Sequence, residues 1–107
     1  MKGLVYNNGL LAGRIEKDEN ECYLFLYDDV YFADKQHAAI SLTLPKTQKE
    51  YRSETMFPFF YGLLSEGINK DIQCRLYKID DDDDFTRLLL TTNHDTIGSI
   101  TVKPADD

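Results

Sequence analysis

The chain has 107 residues, of which 42% are hydrophobic and 12% are aromatic, so we expect one compact domain with its own core. A net charge of −7 argues against a protein that binds a nucleic-acid backbone, because that role needs clustered lysine and arginine. No apolar run follows Lys2 or approaches the roughly 20 residues of a membrane-spanning helix, so neither a signal peptide nor a membrane span is predicted. A cytoplasmic location is expected.

Strand patterns fill the opening of the chain. The segments Lys2–Tyr6 and Leu10–Glu16 flank Asn7-Asn8-Gly9, and because Asn and Gly tolerate a positive φ, this combination predicts a β-hairpin. A turn at Asp18–Asn20 leads into a third strand, Glu21–Tyr27, which is apolar on both faces. Cover on both faces is typical of a strongly curved sheet or a small barrel.

The following segments predict one more strand between two connections. Residues 28–37 are expected to be irregular. Apolar and polar residues alternate from Ile40 to Leu44 and predict a half-buried strand that ends at Pro45. The polar segment Lys46–Tyr51 is expected to lead the chain away from the sheet.

The apolar period then changes to that of helices. A first helix is predicted over residues 56–64, with a cap at Ser53 or Thr55 and a stop at Gly67, and Pro58 is compatible with its first turn. Its expected inward face consists of Met56, Phe59, Phe60, Leu63 and Leu64.

Two further helices and a closing strand are predicted. The second helix begins at Asn69, the third covers Phe85–Thr92, and the strand covers Thr96–Val102. The residues expected to face inward from the helices are Ile72, Leu76, Ile79, Phe85, Leu88 and Leu89. We therefore expect an α+β fold with a small, mostly antiparallel, barrel-like sheet of about five strands and two to three short helices. Residues 1–103 form the single expected domain and 104–107 a disordered acidic tail.

The residue types that carry out catalysis are few and scattered. The histidines are His37 and His94, and the cysteines Cys22 and Cys74 are expected to be buried thiols, with a disulfide left open. Neither set has the spacing of a zinc site. The sequence contains no H-R-D or D-F-G kinase motif and no phosphate-binding glycine loop. We expect no catalytic residue, no cofactor and no metal, and therefore no enzyme.

The run of five aspartates, Asp80–Asp84, is the most conspicuous charged feature. A calcium loop would need a glycine and a terminal glutamate at defined positions, and both are missing. Acidic side chains before a helix accept hydrogen bonds from its free N–H groups, so the run predicts a helix cap at Asp82 or Asp84.

An aromatic pair lies beside the inward face of the first predicted helix. Phe57 and Tyr61 are four residues apart, and Ile68 follows the stop at Gly67. Adjacent exposed aromatic and aliphatic side chains are typical of an anchor cluster for a protein partner. The alternative, that a neighbouring strand or the Tyr51 segment covers the pair, stays open.

Several segments, in order along the chain, resemble HipA-type kinases. The family typically begins V-x-x-N-G-x-x-A-G-x-L and continues with F-x-Y, S-L-S-L-P and F-F-x-x-L-L-P-E-G stretches. The similar segments here are Val5–Ile15, Tyr23–Tyr27, Ile40–Pro45, Phe59–Gly67, Asp83–Leu89 and Asp95–Val102. The sequence is therefore identified as a member of the HipA N-terminal domain family, subdomain 1 of HipA-type toxin kinases, in a stand-alone, HipS-like form.

The resemblance implies a small barrel-like subdomain that is normally fused ahead of a serine/threonine kinase body. Such kinases are toxins of toxin–antitoxin systems associated with bacterial persistence, and they pair with a helix-turn-helix antitoxin. Some modules carry this subdomain as a separate protein that restrains a shortened kinase. The resemblance supplies none of the catalytic residues.

The leading hypothesis is an antitoxin-like regulatory subunit that binds and inhibits a HipA-like kinase lacking this subdomain. Its expected contacts are Phe57, Tyr61, Glu66 and Ile68. A helix-turn-helix antitoxin in the same complex is a further expected partner, whereas direct contact with nucleic acid or membrane is not expected. Two alternatives stay open: a detached lobe that completes or activates the kinase, and a decoy that presents Asp80–Asp84 to a basic DNA-binding partner.

Two positions depart from the family pattern. Ser65 stands where the family usually has proline, and Ile68 stands where related short proteins often have a large aromatic residue. If that aromatic side chain plugs the kinase cleft, Ile68 would fill the cleft less completely.

Overall fold

The structure, a computed structural model, describes residues 1–92 and 100–105. Within these residues it contains a five-stranded antiparallel sheet and four helices. The strands are β1 (Lys2–Asn7), β2 (Leu10–Lys17), β3 (Tyr23–Tyr27), β4 (Glu50–Ser53) and β5 (Ile100–Ala105). The helices are α1 (Asp29–Ala33), α2 (Pro58–Tyr61), α3 (Gly67–Tyr77) and α4 (Asp84–Thr91). The predicted α+β class with a mostly antiparallel sheet of five strands is confirmed.

The sheet has the strand order β4-β3-β2-β1-β5 and is open rather than closed into a barrel. Each neighbouring pair is antiparallel. The register of β1 against β2 shifts between Val5, which pairs with Gly13, and Tyr6, which pairs with Leu11. Ala12 is therefore the extra residue of a bulge, a feature that bends a strand and increases its twist.

The hairpin between β1 and β2 has the geometry that its sequence predicts. Asn8 and Gly9 form the turn with φ values of 51° and 82°. Positive φ at both central residues is the requirement of a two-residue type I′ turn, which matches the twist of the flanking strands. The predicted hairpin is confirmed.

One face of the sheet carries the core. Its fully buried side chains are Val5, Ile15, Phe25, Tyr27 and Val102. Helix α4 packs against this face with Phe85, Leu88 and Leu89, as predicted. A Cβ atom at Gly3 would lie 2.4 Å from Cδ2 of Leu89, so the missing side chain in β1 lets α4 come close to the sheet.

The predicted strand over Ile40–Leu44 is wrong. Its residues form a turn in which the N–H of Leu44 donates to the carbonyl of Ser41 at 3.1 Å. The Tyr27 hydroxyl accepts a hydrogen bond from the N–H of Ile40 at 3.2 Å and donates one to the carbonyl of Leu44. Ile40 and Leu44 are buried by this arrangement, whereas Leu42 is fully exposed.

Two elements lie where connections were predicted. The polar segment around Tyr51 does not leave the sheet but forms the edge strand β4. Helix α1 lies within residues 28–37, because the Asp28 side chain caps it and accepts from the N–H groups of Val30 and Tyr31 at 3.2 and 3.3 Å.

Helix α2 is shorter than the helix predicted over 56–64. Phe57 has φ −59° and ψ 131°, an extended conformation, because Pro58 sterically disfavours helical backbone at the residue before it. Phe57 therefore occupies the cap position, and no side chain caps the helix. The caps predicted at Ser53 or Thr55 are wrong. Of the predicted inward face, Phe60 and Leu64 are buried, while Met56, Phe59 and Leu63 pack partly buried against the core.

Gly67 begins α3 instead of ending the preceding helix, and its φ of 62° turns the chain into α3. The closing strand predicted over Thr96–Val102 falls partly on residues 93–99, which lie outside the described residues. The described strand, β5, includes Pro104 and Ala105, which the sequence predicts to lie in the tail. Residues 106–107 also lie outside the described part.

Candidate partner-binding surface

Helix α3 turns an apolar stripe towards solvent. Ile68, Ile72 and Leu76 are spaced four residues apart on one side of the helix, with 76%, 48% and 73% of their surfaces exposed. The buried residue of α3 is Cys74, on the opposite side. The inward orientation predicted for Ile72 and Leu76 is therefore wrong, although Ile79, beyond the end of the helix, is buried as predicted.

Polar contacts explain how α3 is held with this stripe outside. The side chain of Arg87 in α4 is 2% exposed, and its guanidinium makes two hydrogen bonds. It donates to the carbonyl of Ser65 at 3.0 Å and to Oδ1 of Asp84 at 2.9 Å. Gln73 of α3 donates to the hydroxyl of Ser65 at 3.3 Å. The loop before α3 is thus hydrogen-bonded to α4 through Arg87 and to α3 through Gln73. The spacing of apolar residues in the sequence gives no sign of these polar contacts.

Three of the four predicted contact residues are exposed, and one is not. Tyr61 is 48% exposed, Ile68 is 76% exposed, and Glu66 is exposed as well. Phe57 is only 6% exposed, and its ring centre lies 6.2 Å from that of Phe60 in the core. The prediction that Phe57 is exposed is wrong, because it precedes the helix and so does not share a helical face with Tyr61.

The exposed residues lie around the start and the outer side of α3. Tyr61 and Glu66 line one shallow cavity of about 240 Å³ together with Lys70. None of the stripe residues lines this cavity, and the stripe runs along another side of the helix. We call the following set the α3 surface: Tyr61, Glu66, Ile68, Ile72 and Leu76. It combines aliphatic area with an aromatic side chain and a carboxylate, a composition suited to a protein partner.

The two thiols have different environments, and both are free. Cys22 is exposed just before β3, so the prediction of two buried thiols is wrong for this residue. Burial raises the pKa of the Cys74 thiol, and the hydrogen-bonded Asp81 carboxylate raises it further. A thiol whose pKa is raised stays protonated at neutral pH and is a poor nucleophile.

Of the two histidines, His37 lies in the described part of the chain, where it contacts Asp34 and Tyr31. Its Nε2 atom lies 3.3 Å from Oδ2 of Asp34, and its ring stacks on Tyr31 with 5.4 Å between ring centres. His94 lies outside the described residues. Across residues 1–92 and 100–105, no group of three or more His, Cys, Asp or Glu side chains could hold a metal ion. In the same residues, no helix is long and apolar enough to cross a bilayer.

The aspartate run ends in a helix cap, at a different residue from those predicted. Asp83 accepts hydrogen bonds from the N–H of Thr86 at 3.1 Å and from its hydroxyl at 2.7 Å, and so caps α4. Asp84 is the partner of Arg87 rather than the cap. The first three aspartates, 80–82, are exposed.

Comparison with known proteins gives matches over nearly the whole chain. The family model described as "HipA N-terminal domain" matches residues 3–103. A Haemophilus influenzae protein described as "Uncharacterized protein" is 29% identical over 101 residues, which cover 94% of this chain and 90% of that protein. "Putative kinase Y4mE" from Sinorhizobium fredii is 26% identical over 102 residues, which cover 95% of this chain but 24% of the kinase. Among solved structures, "N-terminal domain of HipA toxin" matches with a TM-score of 0.67 and 25% identity, covering 98% of this chain and 94% of that one.

Proposed function

The chain belongs to the HipA N-terminal domain family, and on this premise we propose that it is an antitoxin-like regulatory subunit that binds and inhibits a HipA-like serine/threonine kinase. In this proposal the kinase is a separate chain that lacks its own copy of the domain. The chain contributes binding rather than catalysis, in the cytoplasm, as part of a toxin–antitoxin module. A helix-turn-helix antitoxin in the same complex is a further proposed partner.

The exposed apolar stripe of α3 is the observation that carries the proposal. The domain already has a core of its own, yet Ile68 and Leu76 leave about three quarters of their surfaces in water. Contiguous apolar side chains on a folded surface mark interaction sites more often than scattered ones do. Because Arg87 and Ser65 hold the loop before α3 in place, the stripe is presented without a large ordering cost on binding.

The lengths of the relatives support a separate binding subunit. This chain covers 90% of the length of the Haemophilus protein, so that similar protein is of about the same size. In the Sinorhizobium kinase the matching segment is 24% of one chain, which supports a kinase as the natural partner of the domain. A detached copy that occupies the same position on a kinase body would be placed to control it.

A second candidate function follows from the same kinase. Since the matching segment is part of the kinase chain there, a separate copy could instead complete a kinase body and activate it. Both candidate functions use the same α3 surface. An inhibiting subunit would lower phosphorylation by the kinase, whereas an activating lobe would raise it.

Coexpression tests the proposal in cells. We expect this chain to relieve the growth arrest caused by a HipA-like kinase that lacks its own copy of the domain. The double variant Ile72→Asp/Leu76→Asp should lose the relief, because two carboxylates would interrupt the apolar stripe. The control Asp71→Asn/Arg75→Gln changes two exposed neighbours on the same helix and should keep it. A kinase that is equally toxic with and without the unmodified chain would contradict the proposed function.

A further inference from the structure

The segment that resembles the family's S-L-S-L-P stretch places one large apolar side chain fully in solvent. Leu42 is 100% exposed, the largest exposed fraction among the large hydrophobic residues in the described part of the chain. It lies in a turn closed by the bond from the N–H of Leu44 to the carbonyl of Ser41. The Ser41 hydroxyl accepts from the N–H of Thr43 at 3.1 Å and lies 2.9 Å from the Thr43 hydroxyl oxygen. The turn is therefore a defined structure and not a loose loop.

Strand residues fix this turn from both sides. The buried Tyr27 hydroxyl bonds to the backbone of Ile40 before the turn and of Leu44 after it. The Tyr51 hydroxyl donates to the carbonyl of Pro45 at 2.5 Å. An exposed side chain on a clamped backbone loses less conformational freedom on binding than one on a mobile loop. Leu42 thus has the two properties of an anchor residue, full exposure and a fixed position.

The α3 surface is smaller than a standard interface, so a further anchor residue elsewhere on the domain is expected. Tyr61 and the three aliphatic residues of the stripe leave 48–76% of their surfaces exposed. A stable interface of standard size buries about 800 Å² on each partner and includes roughly 20–30 residues from each. The residues of the α3 surface are too few to form such an interface alone, so a second contact region is needed.

We propose that Leu42 is this second contact, an anchor that inserts into an apolar pocket on the kinase body. The inference rests on the proposed function, since the occupant is the same kinase, and it adds a named residue outside α3 to the interface. Val30 is the control case. It is 75% exposed, and its backbone is also held, because its N–H donates to the Asp28 side chain and its carbonyl accepts from the N–H of Asp34. It therefore tests whether any exposed aliphatic side chain on an ordered backbone contributes to binding.

Binding of single variants to the purified kinase tests the anchor. The dissociation constant would be measured by calorimetry with the same HipA-like kinase that is used for coexpression. We expect Leu42→Ser to weaken binding about tenfold or more, and Leu42→Met to bind within about threefold of the unmodified chain, because it keeps the apolar volume. The matched control Val30→Ser should bind like the unmodified chain. Thermal unfolding of each variant should be unchanged, since the substituted side chains lie in solvent.

The outcomes separate the two proposals. If the unmodified chain binds and Leu42→Ser binds equally well, the anchor is wrong while the proposed function stands. If Val30→Ser weakens binding as much as Leu42→Ser, the effect is not specific to the clamped turn, and the anchor is again wrong. If the unmodified chain does not bind the kinase at all, the proposed function fails and the anchor fails with it.

Discussion

The guanidinium of Arg87 donates a hydrogen bond to the carbonyl oxygen of Ser65 at 3.0 Å, and this bond ties the loop before α3 to α4. Arg87 is almost completely buried and is paired with Asp84 on its own helix. A buried charge is costly unless it is paired and hydrogen-bonded, and the two Nη atoms of Arg87 make these contacts, to Ser65 and Asp84. The position of the loop and the burial of Arg87 therefore depend on each other. The link holds the loop from which α3 starts, while the burial of Cys74 and the bond from Gln73 to Ser65 accompany the outward orientation of the stripe on the helix.

Replacing Arg87 tests that link. Arg87→Ala should lower the free energy of unfolding by about 2–4 kcal/mol, because it leaves the Ser65 carbonyl and the Asp84 carboxylate without their partner. Urea unfolding would measure the change. The matched control is Arg52→Ala, whose side chain is 71% exposed and pairs with Glu50. It should cost less than about 1 kcal/mol. Equal costs for the two variants would contradict the structural role of Arg87.

The two aromatic residues that were predicted to form one cluster should behave in opposite ways. Phe57→Ala should cost about 3–5 kcal/mol of unfolding free energy, because it removes a buried ring from the core. Tyr61→Ala should cost less than about 1 kcal/mol, since nearly half of Tyr61 is exposed. Unfolding curves in urea distinguish the residues. A small cost for Phe57→Ala would contradict its burial.

Tyr27 gives the fold a dependence on alkaline pH. Burial raises the pKa of Tyr27 from 10.0 to about 12, although the hydrogen bond from Ile40 opposes this shift. Because the folded-state pKa is raised, the stabilisation is fully present below pH 10 and is lost as the pH rises from 10 to 12. The loss should approach about 2–3 kcal/mol.

Tyr27→Phe is the matching variant. At neutral pH it should cost about 1–3 kcal/mol, because the N–H of Ile40 loses its acceptor. The difference in unfolding free energy between the unmodified chain and this variant should shrink between pH 10 and pH 12, which isolates Tyr27 from the other titrating groups. A difference that stays constant over this range would count against the raised pKa.

The two cysteines should differ in reactivity. A thiol reagent such as dithiobis(nitrobenzoate) should modify Cys22 rapidly in the native protein and leave Cys74 protected, because Cys74 is buried and its thiol pKa is raised. One thiol per chain should react under native conditions and two in denaturant. Cys22→Ser should abolish the fast reaction. Rapid native modification of both thiols would contradict the burial of Cys74.

Local signals were sufficient for the parts of the fold that depend on neighbouring residues. The Asn8-Gly9 turn needs positive φ at two adjacent positions, and Asn and Gly are the residue types that adopt positive φ most easily, so the sequence predicts the turn. The helix that buries Phe85 and Leu88 has a regular apolar period and an acidic cap, so its existence, inward face and type of cap could be read from the chain.

The errors occur where distant residues decide the structure. The alternation of apolar and polar residues from Ile40 to Leu44 predicts a strand. In the structure the Tyr27 hydroxyl instead hydrogen-bonds to the backbone at both ends of the segment, which holds it as a turn. The aromatic period reads as a helix through Phe57, although Pro58 excludes it. In α3 the spacing of Ile72 and Leu76 indicates an inward face, but the helix buries Cys74 on its other side instead. Ile72 and Leu76 are therefore the part of the candidate surface that the sequence assigned to the wrong side.

Autophosphorylation of a HipA-like kinase that lacks the domain, measured with labelled ATP while this chain is added, tests the central claim most directly. We expect incorporation of phosphate to fall as the chain is added and to reach a minimum when the kinase is saturated. The Ile72→Asp/Leu76→Asp variant should leave incorporation unchanged. Incorporation that rises would favour the activating lobe, and incorporation that does not respond to the unmodified chain would contradict kinase regulation altogether.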